Sequence, residues 1–69
     1  MLNNNLKQIR MKEFMMNKKE FSTYLNVNES QYSRYELNNA QPSLEVAIKV
    51  SNKLTRQVTD IWYIIENAE

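Results

Sequence analysis

Sixty-nine residues, 42% of them hydrophobic and carrying a net charge of +1, make one small domain spanning 1–69, with no room for a second core. Cysteine and histidine are both absent, which excludes disulfides and thiolate metal sites and removes the commonest general base and imidazole ligand. No apolar run approaches a bilayer span and no signal-peptide pattern precedes Lys7 and Arg10, so no membrane is expected and a reducing cytoplasm is the expected location.

In chain order, Asn3, Asn4 and Asn5 offer caps for a first helix. Leu6, Ile9 and Phe14 mark one apolar stripe on it, and the helix is expected to end near Glu13 or Phe14. Met11, Met15 and Met16 are flexible enough to fill irregular gaps in a small core. The next two elements begin with the same device. Asn17 is followed three residues later by Glu20, and Asn28 by Gln31; each pair is the signature of a capping box. Met16 with Phe21, and Val27 with Tyr32, stand at the spacing of a hydrophobic staple around each cap. A second helix over 18–25 turns Phe21, Tyr24 and Leu25 inward. A third over 29–37 turns Tyr32 and Tyr35 inward. Between them lies only Asn26-Val27-Asn28, with Asn26 where a left-handed residue is wanted. Two short helices joined by a three-residue turn, about 17–37, form a helix-turn-helix arrangement.

Asn38 or Asn39 takes the left-handed role after the third helix, Pro42 forbids its continuation, and Ser43 caps a fourth helix over 44–54. Leu44, Ala47, Ile48, Val50 and Leu54 give that helix a broad apolar stripe. A short fifth helix is expected over 58–61, with Gln57 a poor cap. The tail, 61–69, opens with the β-branched and aromatic run Ile61-Trp62-Tyr63-Ile64-Ile65. It reads in part as a strand pairing with residues near Met1 to Asn3. So much apolar surface at one end of a small domain predicts a subunit contact through Trp62, Tyr63, Ile64 and Ile65, packing within the protomer being the alternative.

No catalytic constellation is present: the chain has no glycine for a phosphate loop and no carboxylate cluster at metal-ligand spacing. We therefore expect no enzyme, no cofactor and no metal. Residues 1–35 hold six basic and three acidic side chains, net +3, against three basic and five acidic in 36–69, net −2. The two-helix unit lies in the basic half, as phosphate attraction requires, although so small a difference also suits an ordinary solvated surface. In a helix-turn-helix the third helix enters the major groove and the start of the second faces a phosphate. Glu29, Ser30 and Arg34, with Ser33 on the same face, are the candidate base readers; Asn17, Lys18, Asn28, Asn39 and Gln41 are the candidate phosphate contacts. The expected partner is double-stranded DNA.

Asn17–Leu25, Asn26-Val27-Asn28, Tyr32-Ser33-Arg34-Tyr35-Glu36 and Asn39-Ala40-Gln41-Pro42-Ser43-Leu44 together resemble the Cro/C1-type (Xre) helix-turn-helix family. The resemblance runs from Leu6 to Trp62. It implies an all-α, five-helix, lambda-repressor-like DNA-binding domain with helix-turn-helix at helices two and three, and an ion pair between Arg10 and Glu36. The short length and aromatic tail are most similar to the minimal dimeric repressors of the cytolysin-repressor kind, which implies a terminal strand pair and a homodimer. It implies a palindromic operator read by two recognition helices about 34 Å apart. Asn26 and Asn38 stand where the family favours glycine, Tyr32 and Tyr35 replace aliphatic residues, and the link from Arg10 to Asn17 is one residue longer than usual. A repressor is the leading reading; an antitoxin-type partner of a toxin, a restriction-control or phage regulator, or a protein-interaction module are the alternatives. Control is expected through dimerisation, degradation or a protein partner.

Overall fold

A computed structural model describes residues 1–66; the final three positions of the tail lie outside the described residues. The order is β1 (Leu2–Asn4), α1 (Leu6–Gln8) running directly into a π-helical stretch (Ile9–Phe14), α2 (Lys18–Leu25), α3 (Glu29–Glu36), α4 (Leu44–Lys53), α5 (Val58–Ile61) and β2 (Trp62–Ile64). This is the expected five-helix, lambda-repressor-like domain with a two-stranded antiparallel sheet. Leu2 faces Ile64, Asn3 faces Tyr63 and Asn4 faces Trp62.

The caps explain where the helices begin. Glu20 N donates to Asn17 Oδ1 at 2.8 Å and Asn17 N donates to Glu20 Oε1 at 3.0 Å, so the first capping box closes both ways. The second closes only one way. Gln31 N donates to Asn28 Oδ1 at 3.2 Å, but the Gln31 amide turns forward to the Tyr35 hydroxyl at 3.4 Å. Ser43 Oγ accepts from Val46 N at 3.2 Å. Gln57 makes no side-chain cap, and Asp60 satisfies its backbone N–H instead, at 3.1 Å.

Helix ends are more unusual. Asn26 (φ 60) and Asn38 (φ 63) are left-handed as anticipated, and so are Met15 (φ 53) and Thr55 (φ 57). In a chain without glycine, each of the first four helical segments is stopped by a residue carrying a Cβ. The π-helical stretch accounts for the long link after Arg10. A π turn holds one residue more than an α turn, so it takes up the extra residue and delivers the chain to Asn17. The backbone N–H of Met15 reaches back to the Arg10 carbonyl across that turn.

The core is built from Leu6, Ile9, Phe21, Leu25, Tyr32, Tyr35, Ala47, Val50, Leu54, Ile61 and Trp62. Phe21 lies at its centre, with Phe14 tilted against it at 5.2 Å and Tyr32 edge-on at 5.6 Å between ring centroids. Three expectations change here. In α4 the buried side is Ala47, Val50 and Ser51, while Leu44 (72% exposed) and Ile48 (43%) face outward. Met11 and Met15 are exposed, and only Met16 packs against the core. Trp62 belongs to the protomer's own core, 6% exposed, with Nε1 buried and unpartnered among the described residues. Of the four tail residues expected at a subunit contact, Tyr63, Ile64 and Ile65 are exposed. No described helix is long and apolar enough to cross a membrane.

Candidate nucleic-acid interface

Burying Tyr32 and Tyr35 fixes which way α3 turns, and so which side chains it presents. Glu29, Ser30 and Arg34 are exposed, and Ser33 is half-buried at the edge of the same face. Asn28 is exposed at the start of α3, and Asn17 and Lys18 stand at the start of α2. Asn39 and Gln41 are exposed in the loop after α3. Asn17 and Asn28 hold their helix N-termini with the side-chain oxygen, leaving each amide NH2 free to donate.

Glu36 ties α3 to the first helix and to the start of α2. Arg10 grips its carboxylate through Nε at 2.9 Å and Nη2 at 3.1 Å, while Arg10 Nη1 donates to the Met16 carbonyl at 3.1 Å. The Tyr32 hydroxyl donates to Glu36 Oε2 at 2.6 Å, and Lys18 Nζ stands 4.0 Å from Oε1. The pair implied by the family resemblance is thus present, and the tyrosine that replaces an aliphatic residue has joined it. Burial acts to raise the Glu36 carboxyl; the hydrogen bonds from Arg10 and Tyr32 and the charges of Arg10 and Lys18 outweigh it and hold the group below its ordinary value. Burial, then the bond to Glu36, drive the Tyr32 phenol upward, so it stays a proton donor. The Arg10 guanidinium is raised by its hydrogen bond to Glu36.

Lys18 also donates to Ser33 Oγ at 3.2 Å. That contact occupies one lone pair of the Ser33 hydroxyl by a cationic donor and leaves its proton available. Lys18 is therefore shared between the start of α2 and the outer face of α3. Nothing in the sequence links these positions, since they lie fifteen residues apart on different helices.

Asn4 and Asn38, whose sequence positions signal only helix caps, have a larger part. Asn4 Oδ1 does cap α1, accepting from Leu6 N at 3.0 Å, but Asn4 Nδ2 donates to the Tyr35 carbonyl at 2.9 Å and to Asn38 Oδ1 at 3.1 Å. Asn38 Nδ2 in turn donates to Asn3 Oδ1 at 2.9 Å, and Gln41 Nε2 donates to Asn38 Oδ1 at 3.4 Å. β1 thereby pins the end of α3 and the loop that carries Asn39 and Gln41. Arg56, likewise unremarked in the sequence, pairs with Glu13 and ties the π-helical stretch to the segment before α5.

No curated protein matches the chain. Residues 6–61, most of the chain, match the helix-turn-helix family HTH_3. The chain belongs to this Xre/Cro/C1-type helix-turn-helix family, a family of DNA-binding domains found in transcriptional regulators.

Proposed function

We propose that the protein is a homodimeric transcriptional repressor that reads a palindromic operator with α3 in the major groove. The observation that carries this reading is the exposed face of α3, Glu29, Ser30 and Arg34, on a helix tied to the first helical segment by the Arg10–Glu36 clamp. Arg34 is suited to guanine O6 and N7 in a bidentate contact, and Glu29 to cytosine N4. Ser30 reads alongside them, and Ser33, accepting from Lys18, offers its proton to a base acceptor. Lys18, Asn17 and Asn28 meet phosphate at the two helix N-termini, and Asn39 and Gln41 meet it from the following loop. Tyr63, Ile64 and Ile65 supply the apolar surface for a second copy, as in the cytolysin-repressor kind, and the cytoplasm is its place of action.

Binding-site selection from random duplexes at near-physiological salt tests this. The expected result is a palindrome with half-sites about one helical turn apart. Failure to enrich any motif with intact dimer overturns it. A second reading has one observation behind it. Leu37 and Leu44, either side of the loop after α3, are both more than half exposed, which favours a protein partner such as a toxin on the same fold. Under that reading DNA affinity lacks the steep salt dependence, a slope of about −0.9 per neutralised phosphate, that groove binding requires.

A further inference from the structure

A cavity of about 390 Å³ opens between α4 and the turn joining α2 to α3, within the range of about 300–1,000 Å³ that small-molecule sites occupy. Its apolar walls are Leu25, Val27, Val46 and Val50, with the rings of Tyr24 and Tyr35. Its charge is of one sign. Lys49 and Lys53, one turn apart on α4, both line it, and no carboxylate does. The Lys53 ammonium lies 4.7 Å over the Tyr24 ring and is in no ion pair among the described residues. Lys49 pairs with Glu45 at 3.1 Å, but both side chains are more than 70% exposed, and such a pair is weak and easily exchanged for another carboxylate. The Tyr24 ring, 36% exposed, stacks on Phe21 and tilts against Phe14, and so forms one edge of the cavity. None of its lining residues is among the base or phosphate contacts proposed above.

We propose that this cavity binds a small amphipathic carboxylate, its aromatic or alkyl body against Val46, Val50 and Tyr35 and its carboxylate on Lys49 and Lys53. An uncharged apolar molecule leaves the two ammonium groups unused, and an inorganic anion leaves the apolar walls unfilled. The site would bring small-molecule control into the domain itself, because Val27 and Tyr35 belong to the two-helix unit. Binding is read without DNA, so its failure and the failure of the operator reading are separate events.

The test is a titration of the full chain, followed by amide and methyl NMR shifts, with 1-naphthoate, decanoate and the neutral 1-naphthalenemethanol. The expected result is saturable shifts centred on Val27, Val46 and Val50 with the two carboxylates. The alcohol, and the Lys49→Gln/Lys53→Gln double variant with naphthoate, should bind about fivefold more weakly or worse. Both lysines are exposed, so that variant keeps the fold. The proposal is overturned by shifts that do not saturate at millimolar ligand, that centre elsewhere, or that are as strong with the alcohol as with the acid.

Discussion

Glu36 is the side chain on which the first three helical segments converge, and its chemistry makes the fold sensitive to acid. Its carboxyl is held below the ordinary value of 4.5, so the folded state binds its proton less readily than the unfolded chain. The stability this contributes is complete above the unfolded pKa and is lost as pH falls through the folded one. Glu36→Gln leaves the Arg10 guanidinium largely buried without its charge partner. We expect a loss of about 3 kcal/mol in urea unfolding at neutral pH, together with a flatter decline of stability below pH 4.5. An unchanged acid limb would place the titration elsewhere. Arg34 tests the other face of the same helix. It is exposed and takes no part in the clamp, so Arg34→Ala should leave unfolding unaltered while costing about 1–3 kcal/mol of operator affinity and relaxing preference at one base position.

At the scale of elements, the helix boundaries show what a sequence states and what it withholds. Asn17, Asn28 and Ser43 act on backbone N–H groups three residues away, and Asn26 and Asn38 on their own dihedrals. Signals that local can be read without a structure, and the two-helix unit was legible for that reason. Met15 and Thr55 carry no such signal, since neither residue type favours the left-handed region both occupy. For Thr55, β-branched and at φ 57, this is strained backbone. Thr55→Gly should therefore raise stability by about 0.5–1 kcal/mol, seen as a higher urea midpoint at constant slope, whereas Asn26→Gly should change little. In α4 the apolar stripe was legible but not which part of it packs. Leu44 and Ile48 were as eligible as Ala47 and Val50, and the long-range docking of α4 decided for the smaller pair. The cavity is not legible in the sequence for a related reason, since its walls come from three helices and a turn.

For the whole molecule, the tail divides its work. Trp62 is inside, while Ile64, on the same face of β2 by alternation, is 61% exposed. Tyr63, Ile64, Ile65 and Met1 leave an apolar end that a small core without staples has reason to cover with a second copy. Ile64→Lys should then yield a monomer by analytical ultracentrifugation, with a helical circular dichroism spectrum and little change in the core. Operator affinity should fall with dimerisation, because half-sites are no longer read together. A dimer that persists in this variant would move the interface elsewhere on the surface.

The strand pair also orders events in time. β1 leaves the ribosome well before its partner β2, with all five helices between them. Closing so long a loop comes late in folding. Meanwhile α2 and α3 meet through neighbouring residues and need not wait. Until residues 62–64 have been made, however, β1 has no partner to hold Asn3 and Asn4 against Asn38 and the Tyr35 carbonyl. A nascent chain, or one clipped before β2, can own a recognition helix without a settled loop behind it. On the operator reading, a chain clipped before β2 should therefore bind DNA more weakly than one that runs through Ile64.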